Sequence, residues 1–208
     1  MTDPGAKAGA AAVDQDRRKF LIVATSATAG VGVVFAATPF VASWQPSERA
    51  RALGAPVTVD LSKLEVGQMV TYVWRKQPVY VFKRSPAILA SLPANDARLK
   101  DPHSSESDQP PYALNERRSR REDIAVLIAT CTHLGCLPKQ HFEPGDVVLG
   151  ADWPGGFLCP CHGSRFDMAG RVFNGSPAST NLRIPPYSFP NENMLLIGQD
   201  EAAAKGAA

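Results

Sequence analysis

The chain has 208 residues with 22 basic and 20 acidic side chains and 44% hydrophobic content, which suits one folded domain plus an appendage and excludes a disordered polymer. A net charge of +2, with no Lys/Arg stripe interleaved with aromatics, excludes the electrostatic footprint of a nucleic-acid binder. Four cysteines are too few for a disulfide scaffold of this length, yet all lie between Cys131 and Cys161, each close to a histidine, which points to a metal site.

Residues 1–16 are rich in Ala, Gly and Asp and read as mobile. Arg17-Arg18-Lys19-Phe20-Leu21 resembles a twin-arginine export signal. Phe20 to Ser43 then carries no charge, and its 24 residues cover about 36 Å as a helix against a bilayer core of about 30 Å. Gly30, Gly32, Ala36 and Ala37 would let another helix approach, and Pro39 bends the last turn. A cleaved secretory signal has a shorter apolar stretch, and Phe40-Val41-Ala42 is a poor cleavage site, so the run reads as a retained transmembrane anchor. Residues 1–19 are then cytoplasmic, and the C-terminal part lies in the periplasm of a bacterium, the protein crossing the inner membrane once. Residues 44–55 are polar, with Pro46 and Gly54 as breakers, and read as a flexible linker reaching about 40 Å extended or about 18 Å helical.

From Pro56 to residue 200 the pattern is that of an antiparallel β domain, followed by a tail over 201–208. Val57–Val59 is a strand candidate, and Met69–Trp74 with Pro78–Phe82 is a hairpin in β-branched and aromatic residues. Ala87–Leu92 reads as a short helix. Residues 95–123 break the pattern, and Arg117-Arg118-Ser119-Arg120-Arg121 reads as part of a solvated insertion rather than a docking patch for an acidic partner or lipid. Ile124–Ala129 is a buried strand leading to the first cysteine. Further short strands are expected at Val147–Leu149, Phe157–Leu158, Arg171–Phe173, Leu182–Ile184 and Leu195–Ile197.

The chemistry falls in two boxes separated by 22 residues, Cys131-Thr132-His133-Leu134-Gly135-Cys136 and Cys159-Pro160-Cys161-His162-Gly163-Ser164. Each offers a thiolate and an imidazole, and Gly135 and Gly163 permit tight turns that aim both at one point. Two such loops can clamp a binuclear iron–sulfur cluster with two Cys on one iron and two His on the other. A structural Cys2His2 zinc site has the same ligand types, but it normally groups Cys with Cys and His with His and leaves a second cysteine pair unexplained.

The sequence resembles the Rieske iron–sulfur subunit of the cytochrome bc1 complex over nearly its whole length: anchor, linker, β domain, both boxes, and a Gly175-Ser176-Pro177-Ala178 segment similar to the family's proline loop. The resemblance implies an all-β soluble domain, a Rieske-type antiparallel sandwich with a small cluster-binding subdomain at 130–180, plus one N-terminal transmembrane helix. It implies a [2Fe–2S] cluster held by Cys131 and Cys159 on the inner iron and His133 and His162 on the outer, with Cys136 and Cys161 as a disulfide suited to an oxidising compartment. Ser164 would donate to a bridging sulfide. Where the mitochondrial-type pattern has a tyrosine reaching a ligand sulfur, this chain has Phe166. Leu134 either docks against a quinone pocket or shields the cluster from water.

The same resemblance implies quinol–cytochrome c oxidoreductase activity within a dimeric complex. Ubiquinol would pass a proton to His162 and one electron to the cluster, the second electron would go to cytochrome b, and the head would move to cytochrome c1. Two other readings remain open here. A Rieske ferredoxin of a cytoplasmic oxygenase typically lacks the extra cysteine pair and the anchor, whereas the small subunit of a periplasmic oxidase such as arsenite oxidase can share both the box and the export signal. His103 and His141 read as surface histidines without a ligand role.

Overall fold

The computed structural model describes residues 14–200; of the stretch expected to be mobile over residues 1–16, residues 1–13 lie outside them, as does the tail at 201–208, while residues 14–16 cap and open a helix instead. The described chain divides into two units, residues up to 50 and residues from 51 onward.

The first unit is dominated by α1 (Gln15–Ser43). It begins five residues before the apolar run because Asp14 caps it, its carboxylate accepting from the amides of Asp16 at 3.1 Å and Arg17 at 3.2 Å. The hydroxyls of Thr25, Thr28 and Thr38 donate to the carbonyls of Leu21, Ala24 and Val34, so these three polar side chains inside the run have their donors satisfied within the helix. Pro39 lies within the helix, which still continues to Ser43. By length and composition this helix can cross a membrane. The linker expectation needs one correction, since Glu48–Leu53 forms a short helix, α2. The Ser47 hydroxyl accepts from the Ala50 amide at 3.2 Å, and the segment Glu-Arg-Ala-Arg-Ala-Leu consists of good helix formers.

The second unit contains three small antiparallel sheets. β1 (Val57–Asp60) pairs with β9 (Met194–Ile197), which pairs with β8 (Tyr187–Asn191). β2 (Met69–Trp74) forms a hairpin with β3 (Gln77–Lys83), and β3 pairs with β4 (Ile124–Ile128). The hairpin turn puts Arg75 and Lys76 in the left-handed region, the twist a two-residue connection needs, without the Asn or Gly that usually supplies it. Val79, Val81, Phe82 and the whole of β4 are buried, and with Tyr187, Leu195 and Ile197 they make one continuous core. α3 (Pro86–Ser91) starts at Ser85, whose hydroxyl accepts from the Ile88 amide. The third sheet, β5 (Lys139–His141), β6 (Gly156–Leu158) and β7 (Arg165–Phe166), is the one that presents the second box. A Cβ at Gly156 would stand 2.0 Å from the Phe166 carbonyl oxygen, so the close approach of β6 to β7 requires glycine there.

Four sequence expectations are corrected. Val147–Leu149 is a turn rather than a strand, because the Asp146 carboxylate accepts from the amides of Val148 and Leu149 and closes the backbone locally. Arg171–Phe173 makes only isolated bridges to Leu99 and Phe166, and Leu182–Ile184 is irregular, satisfied by Gly170, Ile128 and Arg118. The 95–123 segment is not a solvated insertion. Arg118 is 1% exposed and donates to Gln109 Oε1 and to the carbonyls of Ala169, Gly170 and Leu182. Burial lowers its pKa to about 10, opposed by Asp167 and Asp101, and it stays charged at neutral pH.

Candidate cluster-binding site

The first box connects β4 to β5 and the second is the turn joining β6 to β7, so strands enter and leave each loop. Both loops use the same backbone frame. The Cys131 amide donates to the Cys136 carbonyl at 2.8 Å and the Gly135 amide to the Cys131 carbonyl at 2.9 Å. The Cys159 amide donates to the Ser164 carbonyl at 2.8 Å and the Gly163 amide to the Cys159 carbonyl at 2.9 Å. Gly135 and Gly163, at φ of +83° and +75°, occupy equivalent left-handed positions.

The frame buries Cys131 and Cys159 and leaves the imidazoles outward, His133 half-buried and His162 exposed. The two rings meet edge to face with centroids 4.9 Å apart. Cys136 and Cys161 form a disulfide that ties the two loops together, while Cys131 and Cys159 remain free thiols. The sulfurs of Cys136, Cys159 and Cys161 lie within 4.8 Å of one another, but two of those three are consumed by the disulfide and cannot also serve as thiolate ligands.

Burial pushes the Cys131 thiol up, and Cys159, with which it interacts directly, pushes the same way; the His133 amide and the Ser164 hydroxyl oppose them. A buried thiol such as Cys131 is costly to ionise without a cation, and iron held there would supply that cation. The donor set therefore fits a cluster held by two inner thiolates and two outer imidazoles.

A third segment closes the site. Ser164 is fully buried, and its oxygen accepts from the Ala178 amide at 3.0 Å. Ser176 Oγ accepts from the Arg165 amide at 3.1 Å, and Thr132 Oγ1 donates to the Thr180 carbonyl at 2.6 Å. The stretch over residues 176–180 is thus stitched to both boxes. Thr132 was not singled out by the sequence, where a threonine between a cysteine and a histidine gives no sign of a partner 48 residues away. Phe166 is fully buried and pairs in register with Phe157. Leu134 is 70% exposed at the tip of the first box. His141 sits outside the site, its Nδ1 2.8 Å from Asp146 Oδ2, so it is a half-buried paired histidine rather than a free surface one.

Buried paired thiols, outward imidazoles, a disulfide between the two loops and a β scaffold define a Rieske [2Fe–2S] protein. A family model described as "Rieske [2Fe-2S] domain" matches residues 57–187, and one described as "Ubiquitinol-cytochrome C reductase Fe-S subunit TAT signal" matches residues 7–47. The ubiquinol–cytochrome c reductase iron–sulfur subunit of Allochromatium vinosum is 51% identical over 92% of this chain and 93% of its own length. That of Bradyrhizobium diazoefficiens is 40% identical over 88% and 94%. A solved structure described as a hyperthermophilic respiratory Complex III aligns over 85% of this chain and 98% of its own at 24% identity, with a TM-score of 0.46. The chain belongs to the family of ubiquinol–cytochrome c reductase iron–sulfur subunits, carries a [2Fe–2S] cofactor, and has a twin-arginine signal anchor.

Proposed function

We propose that this chain is the electron-transfer subunit of a bacterial cytochrome bc1 complex, oxidising ubiquinol and reducing cytochrome c1, with cytochrome b as the partner that takes the second electron. Full-length similarity to subunits of that name carries the reading, and it does not favour the periplasmic-oxidase alternative. The cluster supplies a one-electron acceptor between quinol and cytochrome.

What the residues contribute follows from their placement. Cys131 and Cys159, both buried, would hold the cluster from within, and His133 and His162 would hold it from the outer side. His162 is the more exposed imidazole, so a quinol hydroxyl can reach it, and the ring nitrogen left free of the cluster would accept the quinol proton and release it outside the cytoplasm. Ser164, buried and held by the Ala178 amide, has its hydroxyl beside the Cys131 sulfur, where it would favour the more negative, reduced state. α1 retains the protein in the membrane, with Arg17 and Arg18 on the cytoplasmic side and the β domain in the periplasm.

The test is purification from washed membranes of the native bacterium. We expect the chain to copurify with b and c haems in a complex that reduces cytochrome c with quinol. Recovery in the soluble periplasmic fraction, or with an oxidase lacking b haem, would contradict the proposal.

A further inference from the structure

We propose that Lys100 is a positioning residue for the cluster: by pinning the 176–178 segment over Ser164, its ammonium raises the electron affinity of the site. This rests on the reading of Cys131, His133, Cys159 and His162 as cluster ligands. Lys100 belongs to neither box and stands in the segment that the sequence presents as an insertion.

Its position is fixed by backbone pairing. The Lys100 amide donates to the Val172 carbonyl at 3.0 Å and the Asn174 amide to the Arg98 carbonyl at 2.8 Å, so residues 98–100 run beside 172–174 and the side chain reaches the loop that follows. Nζ donates to the Ser176 carbonyl at 2.6 Å and to the Ala178 carbonyl at 2.7 Å. These two carbonyls flank Pro177, which has no N–H to help anchor the segment itself. An ammonium has three donors and can satisfy both at once with charge-assisted bonds.

The consequence passes inward through one residue. Ala178, whose carbonyl Lys100 holds, donates its amide to the buried Ser164 hydroxyl oxygen, and the Ser164 hydroxyl in turn hydrogen-bonds the Cys131 sulfur. Loosening the 176–178 segment frees the hydroxyl to rotate away. Removing the ammonium also removes a positive charge that favours the more negative reduced state. A purely structural staple would cost stability on removal and leave the reduction equilibrium where it was.

The test uses the full chain in membranes, with Lys100→Met, which keeps the stem and loses the charge, and Lys100→Arg, which keeps charge and donors. We expect Lys100→Met to retain its EPR signal while its reduction equilibrium shifts roughly three- to tenfold toward the oxidised form, about 30–60 mV for a one-electron couple. Hydrogen exchange of the 175–180 segment should quicken in the same variant, and Lys100→Arg should restore most of both. A Lys100→Met midpoint equal to wild type would overturn the proposal. If that variant holds too little cluster to titrate, Lys100→Gln, which can still donate to one carbonyl, gives the deciding midpoint on the same terms. Absence of the signal from the unmodified protein would instead overturn the ligand reading beneath.

Discussion

The two boxes are the same loop built twice and filled differently. Each runs from a buried cysteine through a left-handed glycine at the fifth position to a sixth residue whose carbonyl receives the first cysteine's amide. The first box puts histidine third, exposed Leu134 fourth and the disulfide cysteine sixth; the second puts the disulfide cysteine third, histidine fourth and buried Ser164 sixth. The shared frame aims both loops at one place, and the exchange of positions decides what each brings. Having histidine fourth in the second box, where the first has its exposed leucine, leaves His162 more open than His133.

The sharpest way to break this comparison is to remove what the loops hold. Replacing Cys131, His133, Cys159 or His162 should abolish the cluster, because each removes a bond to iron. Cys136→Ser or Cys161→Ser should leave some cluster in a domain destabilised by about 3.5 kcal/mol, from a disulfide spanning 25 residues. Iron content and denaturant titration separate the two classes, and a Cys136→Ser protein without iron beside an iron-bearing Cys131→Ser would reverse the assignment.

The equivalence of the frames is tested by Gly135→Ala and Gly163→Ala. Neither would meet an atom closer than 3.9 Å, so the cost is the left-handed backbone alone, about 1–2 kcal/mol each. Equal losses of stability are expected; a large difference would show that the loops are not the same device.

Phe166 offers a smaller effect. Phe166→Tyr should add a donor to a ligand sulfur worth roughly 1 kcal/mol and raise the midpoint by about 40 mV if most of that favours the reduced state. An unchanged or lower midpoint in a cluster-replete variant would mean that the ring, fully buried against β6, has no room to aim a hydroxyl at sulfur.

The smallest effect lies outside both boxes. Burial alone would raise the pKa of the Asp101 carboxyl, but the Glu106 and Ser105 amides and the Ser107 and Ser105 hydroxyls more than offset it and hold the group below the usual carboxylate range. Its contribution is therefore complete above the unfolded carboxyl pKa of about 4 and is lost as pH falls through the lower folded value. Asp101→Asn should cost about 1 kcal/mol at neutral pH and flatten the acid limb of stability, read by denaturant midpoints from neutral pH downward.

The boxes, the anchor and the main hairpin were legible because their signals are local: fixed spacings, an uncharged run, alternating β-branched residues. What was not legible depends on distant partners. Arg117–Arg121 reads as a charge run, and nothing nearby indicates that Arg118 will find the carbonyls of Ala169, Gly170 and Leu182. Val147–Leu149 reads as a strand because its apolarity is local, whereas the deciding group is the side chain of Asp146. β5 and β7, three and two residues long, are too short to show a period, and β7 can lie against β6 because Gly156 lets the chains approach. Ser164 and the proline loop were visible through resemblance, but their link to each other and to Lys100 was not.

Pulsed EPR of the reduced protein in membranes tests the ligand set most directly, since it detects nitrogen bound to iron as well as the cluster itself. We expect a binuclear iron–sulfur signal with hyperfine couplings from two histidine nitrogens, and no such signal in a His133 or a His162 variant. A cluster signal with no strongly coupled nitrogen, or an EPR-silent site loaded with zinc, would contradict it.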